Sequence, residues 1–367
     1  MSVFVSCGEA SGDMYLGELT ERLLERGIRV FGMGGPRVLG AGAQVLWDMR
    51  ELQVVGFTEA LGALPRLIRL RDALVRHVME SRPRCVVLTD SPDFHLPLAR
   101  KLRSVGYRGS IVSLVPPAVW IWRRGRVRVL RELFDLCLPL FPFEHRFLLE
   151  NGCRSFFVGH PLLETVEAVD MPDLSGGVVA FMPGSRPGEL RRHLMPFAEA
   201  AVGLREMGYR PVFSVPGSMP EADAVWARGV LEGMSLPWSS ERGVDLMGRS
   251  CFVVMASGTV SLEAMLVGRP GVVAYRTGFI TMLLARLLVR SRWCSLPNIL
   301  LGREVYPELL QGDVSGEGLL RVLLPLLKGL LEGGWSRWAQ AFLEGRKALG
   351  ERGAFGLWAD LVAERAA

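Results

Sequence analysis

Twice in 367 residues, a short apolar run ends in a turn rich in glycine and serine and then opens an amphipathic segment. The first case is Cys7-Gly8-Glu9-Ala10-Ser11-Gly12-Asp13, after Val3 to Ser6. The second is Met182-Pro183-Gly184-Ser185-Arg186, which closes Val178 to Met182 and precedes Glu189 to Leu204. A buried strand, a tight turn and a helix N-terminus together make an anion site, because free backbone N–H groups and the helix dipole point at the turn. Arg186 adds a guanidinium that can grip an anion with two hydrogen bonds. The chain therefore reads as two α/β units, each begun by this device, with a phosphate-bearing ligand between them.

The rest of the chain keeps the same rhythm. In the first half, Val3–Ser6, Val30–Met33, Cys85–Thr89, Ser110–Val115, Leu136–Leu140 and Ser155–Val158 read as strands, with helical periods at Met14–Arg26 and Leu96–Val105. Ser11 or Asp13 is the expected cap of the first helix. The stretch from Pro161 to Gly177 loses periodicity and is the expected linker. A second series follows: Val178–Met182, Pro211–Val215, Cys251–Met255 and Gly271–Tyr275, with a helix at Val260–Val267. After Gly302 the pattern reads as helical to the end. Alternating strands and helices predict parallel sheets covered on both faces, in two doubly wound domains that face each other across a cleft.

Composition narrows the class. Hydrophobic content is 49%, enough for large cores, and no apolar run reaches the roughly 18 residues of a membrane-spanning helix. The N-terminus enters a strand directly, with no basic leader, so a cytoplasmic enzyme is expected. None of the six cysteines forms a C-x-x-C, which fits buried thiols in a reducing compartment. The net charge of +5 comes almost wholly from arginine, and attracts phosphorylated substrates or anionic lipid. No nucleic-acid-binding pattern is present, so no nucleic-acid partner is expected.

Several segments carry candidate chemistry. In Thr89-Asp90-Ser91-Pro92-Asp93-Phe94-His95, Asp90 ends a strand and can project into the cleft as a general base. Two aspartates spaced D-x-x-D, and not D-x-D, argue against a metal. Ser257-Gly258-Thr259 opens another helix, and Glu263 follows one turn later on the face of Thr259, where it can hold ribose hydroxyls. A plain capped helix, with Ser257 as its cap, explains the same residues. Val115 to Arg124 contains two prolines and two tryptophans followed by Arg123, Arg124, Arg126 and Arg128. It reads as core packing beside a solvated basic face, or as an acceptor wall beside a basic patch. Phe57, Leu61, Leu64, Leu67 and Ile68 recur at spacings of three and four among Arg66, Arg69 and Arg71. A core helix and a membrane-surface helix both fit this pattern, and Pro65 argues against one regular helix throughout.

These motifs, in this order, resemble the lipid-A-disaccharide synthases. The likeness runs from Gly8–Asp13 through Gly35-Pro36-Arg37, Asp90–Phe94, Val119–Trp122, Leu140–Glu144, Val158-Gly159-His160, Pro183–Arg186 and Ala256–Thr259 to Ser295–Asn298. The resemblance implies a GT-B glycosyltransferase with no cofactor and no essential metal. It also implies an N-terminal acceptor and membrane-contact domain at 1–165, rejoined by a final helix at 345–367, and a UDP-sugar domain at 166–344. The implied donor is UDP-2,3-diacylglucosamine and the implied acceptor 2,3-diacylglucosamine 1-phosphate, giving a β-1,6-linked disaccharide 1-phosphate and UDP. Asp90 becomes the implied base. Ser185, Arg186, Ser257, Gly258, Thr259, Glu263 and Asn298 become donor contacts, Gly8, Ser11 and Gly12 line the N-domain side, and Phe57 to Ile68 contact the inner membrane peripherally. His95 stands where the family usually has Asn, and Pro117 or Ala118 where it usually has Ser. The apolar tail after Gly302 offers a surface for a homodimer. Rival readings are another GT-B UDP-sugar enzyme, such as an N-acetylglucosamine transferase or a UDP-sugar 2-epimerase, and a two-domain ligand-binding protein.

Overall fold

The structure, a computed structural model, describes residues 1–52, 57–170, 177–278, 282 and 291–367, with backbone alone at 57–61 and 63. The chain divides into two compact units: Met1–Pro161 with Glu351–Ala367, and Leu162–Gly350.

In the first unit β1 (Ser2–Ser6), β2 (Arg29–Gly34), β3 (Gln44–Asp48), β4 (Cys85–Thr89), β5 (Ser110–Leu114) and β6 (Leu136–Leu138) form one parallel sheet. Its order is β3-β2-β1-β4-β5-β6. Successive side chains leave a strand on opposite faces, and the core divides accordingly. Val3, Val5 and Val87 join Leu16, Leu19 and Trp358 on one face. Phe4, Val86 and Leu88 join Leu74, Leu98 and Leu102 on the other. Burying one such side chain contributes roughly 1.5–3 kcal/mol, so strands apolar on both sides are fixed at the sheet's centre. Trp358 belongs to the last helix, Ala354–Ala366, and packs edge-on against Tyr15 at 5.8 Å between ring centroids. The chain's end is thus a core element of the first unit.

In the second unit β7 (Val178–Met182), β8 (Arg210–Ser214), β9 (Trp238–Ser239), β10 (Phe252–Met255), β11 (Gly271–Tyr275) and β12 (Glu308–Leu310) form another parallel sheet. The order is β12-β11-β10-β7-β8-β9, which is the winding of the first sheet read from its other edge. In each sheet the first and fourth strands of the unit lie side by side. The strand order reverses there, and ligands of doubly wound sheets bind beyond the carboxyl ends at that point.

Some expectations from the sequence need correction. Ser155–Val158 is not a strand; Ser155 makes only an isolated bridge to Cys137. The tail after Gly302 is not wholly helical, since β12 interrupts it. The tail's buried leucines, Leu319, Leu323, Leu327 and Leu330, lie on the Gly316–Leu331 helix, which packs on Pro187–Glu206 of the same unit. Pro65 sits inside one helix, Phe57–Ser81. The linker region is held in place before residue 171: Leu162–Thr165 is a short helix, and the buried Arg269 guanidinium donates to the carbonyls of Val169 and Asp170, both at 2.8 Å.

Candidate active site

At the first switch point, Asp90 directly follows β4. Its Oδ1 accepts the Gly8 N–H at 2.8 Å and its Oδ2 the Glu9 N–H at 3.2 Å. These donors stand at the N-terminus of the Ala10–Glu25 helix, whose N-cap is Glu9. The anion slot of the first turn is therefore filled by the protein's own carboxylate. A side chain at Gly12 would put its Cβ 1.8 Å from Asp90 Oδ2, so that glycine is required by the carboxylate's position. Burial raises the Asp90 pKa to about 6, against the opposing hydrogen bonds from Ser91, Gly8 and Glu9. A carboxylate so tuned is a far better base near neutral pH than an ordinary aspartate.

The backbone at Asp90 and Ser91 is left-handed, with φ of +54° and +36°. Such conformations cost about 1–3 kcal/mol each and persist only when neighbours enforce them. His95 is one enforcer. It is buried, and burial depresses its pKa to about 4, leaving it neutral. Its Nδ1 lies 3.0 Å from the Asp90 carbonyl oxygen and its Nε2 2.8 Å from Ser6 Oγ. A carbonyl only accepts, so Nδ1 carries the proton and Nε2 accepts from the serine hydroxyl. His95 thus supplies one donor and one acceptor, the pair an amide would offer.

Two cavities meet at Ser91–Asp93. One, of about 480 Å³, is walled by Leu52, Leu64, Leu67, Ile68, Phe94 and Pro97. Leu64 and Ile68 are 54% and 41% exposed. The side chains of Phe57 and Leu61 lie outside the described residues. The other cavity, of about 470 Å³, is bordered by Asp90, Pro117, Trp122, Arg123 and Arg126. Its tryptophan loop is anchored by Glu144, which accepts from Trp120 Nε1 at 3.1 Å and from the Leu140 N–H at 3.2 Å.

At the second switch point, the turn after β7 and the turn after β10 border a cavity of about 330 Å³. Gly184, Ser185, Arg186, Ser257, Gly258, Thr259 and Glu263 all line it. Gly184 has φ +121°, a conformation that only glycine adopts freely. Arg186 is 74% exposed and touches Glu189 at 3.3 Å, so its fork remains available to a ligand. The Pro187–Glu206 and Thr259–Val267 helices both begin at this cavity and aim their positive ends at it. Burial raises the Glu263 pKa while the charge of Arg242 lowers it. Buried His193 braces the site: its Nδ1 is 2.8 Å from the Pro183 carbonyl oxygen, and its Nε2 accepts the Arg276 N–H at 2.8 Å.

Four sequence expectations change. Asp13 does not cap its own helix; it accepts the N–H groups of Gly35, Arg37 and Val38 and so caps the neighbouring Pro36–Gly40 helix. Ser11 is an exposed residue within the first helix and does not cap it, and Gly8 gives its N–H to Asp90. Ser257 makes no cap bond; it donates to the Cys294 carbonyl at 2.7 Å. Asn298 is buried and fully engaged: its Oδ1 accepts the Val305 and Tyr306 N–H groups, and its Nδ2 donates to the Tyr306 carbonyl and to Glu308. It braces the loop beneath the site and has no polar atom left for a nucleotide. Sequence reasoning passed over His193, and noted Glu144 only as the end of the Leu140–Glu144 motif. The signal at His193 was polarity within an apolar helix face, and the partners Arg276 of His193 and Trp120 of Glu144 lie 83 and 24 residues away.

Two parallel doubly wound units, each with a switch-point site, define the architecture of GT-B glycosyltransferases. The solved glycotransferase of kitacinnamycin shares this fold, with a TM-score of 0.64 over 99% of this chain and 98% of its own at 15% identity. The family model described as lipid-A-disaccharide synthetase matches residues 3–331. The lipid-A-disaccharide synthase of Azotobacter vinelandii is 40% identical, covering 89% of this chain and 90% of its own. That of Myxococcus xanthus is 36% identical, covering 90% and 91%. The chain belongs to the lipid-A-disaccharide synthetase family, and is a hexosyltransferase.

Proposed function

We propose that the protein transfers diacylglucosamine from UDP-2,3-diacylglucosamine to the 6-hydroxyl of 2,3-diacylglucosamine 1-phosphate, with inversion. The reading rests on family membership and, within the structure, on one observation: a carboxylate with its pKa raised to about 6 ends β4 beside two cavities. Asp90 removes the acceptor hydroxyl's proton as that oxygen attacks the donor's anomeric carbon. The anomeric C–O bond to the β-phosphate breaks, and UDP leaves with the bonding pair. Arg186 and the two helix N-termini at the 330 Å³ cavity stabilise the phosphate charge, and Glu263 holds the ribose. The apolar cavity wall of Leu64, Leu67 and Ile68 takes up acyl chain and contacts the membrane surface. No helix among the described residues is long and apolar enough to span a bilayer.

The test is direct. Purified protein is incubated with the two lipids, and disaccharide and UDP are followed together. Equimolar appearance of both supports the reading. UDP release without disaccharide, or epimerised sugar, contradicts it.

A further inference from the structure

The basic residues after the tryptophan loop have no role in the mechanism above, yet they are arranged for one. Arg123 and Arg126 converge on a single oxygen, Oδ1 of Asp93, with Arg123 Nη1 at 3.1 Å and Arg126 Nη2 in direct contact. Asp93 is 77% exposed and Arg123 51%. Arg126 is the more sheltered partner at 20%, but an ion pair on so exposed a carboxylate contributes little, so Asp93 holds the two guanidiniums in register without consuming them. One carboxylate against two guanidiniums leaves one net positive charge and most of the N–H donors unspent.

The backbone supports the same placement. Arg123 is left-handed, with φ +49°, and Val115, just after β5, has φ +52°. The segment between them is tied down through Trp120 and Glu144, and the Arg123 guanidinium lies 5.7 Å from the Trp122 ring centroid. Strained backbone held by its surroundings marks a built geometry. Both arginines line the 470 Å³ cavity that Asp90 also lines. The apolar 480 Å³ cavity abuts it at Ser91–Asp93. One lobe is mainly apolar; the other carries the two guanidiniums together with the carboxylates of Glu9, Asp90 and Asp93.

We infer that Arg123 and Arg126 form a phosphate-monoester subsite that binds the 1-phosphate of the acceptor. This rests on the acceptor assignment proposed above. A dianionic phosphate accepts from both guanidiniums, each able to offer two parallel N–H donors. The sugar carrying it is then fixed between the two lobes, with its hydroxyl presented to Asp90.

The test compares kcat/KM for the phosphorylated acceptor with that for 2,3-diacylglucosamine lacking the phosphate, in neutral detergent micelles. Wild type should prefer the phosphorylated acceptor. Arg126→Gln and Arg123→Gln should each cut that preference about 10- to 100-fold, the size of one or two charge-assisted hydrogen bonds. Arg128→Gln, on an exposed arginine outside the cavity, should leave the preference intact. A preference unchanged in both cavity variants, or a loss seen equally for both acceptors, overturns the subsite. So does a collapse that appears only on anionic vesicles, which would assign the pair to membrane headgroups. Wild type forming no disaccharide would instead overturn the acceptor assignment itself.

Discussion

The two switch points share one topology and are finished in opposite ways. In the first unit, the residue directly after the fourth strand is Asp90, and its carboxylate takes the N–H groups of the turn after β1. In the second unit the residue directly after the fourth strand is Ala256, and the turn after β7 borders a cavity instead. A helix N-terminus beside a turn attracts an anion in either case. Where the protein supplies the anion, the site holds a tuned base. Where it supplies a methyl group, the turn borders an open cavity, to which the proposed function assigns a ligand's phosphate. Each turn is braced by a buried neutral histidine, His95 in one and His193 in the other, that donates to a carbonyl beside the working residues.

The sharpest break of this comparison is Asp90→Asn. Turnover should fall about 10³-fold or more, within the range expected for a positioned general base, while the second switch point stays intact. Initial-rate assays at saturating donor and acceptor give the number; a loss under tenfold removes Asp90 from the base role. Next in size is Arg186→Gln. It should weaken the donor by about 10- to 100-fold, the cost of losing a charge-assisted bond, with the acceptor KM unmoved. Kinetics with each substrate varied in turn separate the two.

His95→Ala should lower kcat by roughly tenfold, the equivalent of about 1.4 kcal/mol, and His95→Asn should recover most of it. The pH profile is a smaller and more specific signal. Rate should fall as pH drops through about 6, where Asp90 takes up its proton. The same profile should recur in His95→Asn, because His95 itself, depressed to about 4, is not the titrating group. Stability carries the opposite sign. The Asp90 pKa is raised on folding, so its contribution is fully present below pH 4 and is lost as pH rises to about 6. Melting temperatures of Asp90→Asn relative to wild type should therefore climb between those pH values and then level off.

Much of this was legible in the sequence where the physics is local. Val178–Met182 and Cys85–Thr89 were found at their observed limits because central parallel strands, buried on both faces, read as unbroken apolar runs. The turn at Pro183–Arg186 and the position of Asp90 followed from those strands. Edge strands were harder. Gln44–Asp48 was missed, since its burial is only partial and its register with β2 shifts at Gly32/Met33. Ser155–Val158 has strand composition but finds a single bridge at the sheet's edge. Tertiary capping was invisible. Asp13 bonds backbone groups 22 to 25 residues away, and Asn298 looked like a ligand contact until its four bonds to Val305, Tyr306 and Glu308 accounted for it.

Calorimetric titration of UDP into wild type, Asp90→Asn and Arg186→Gln tests the division of labour most directly. The account expects Asp90→Asn to bind UDP within about twofold of wild type and Arg186→Gln to bind at least tenfold more weakly. Equal weakening in both variants, or weakening in Asp90→Asn alone, would contradict it.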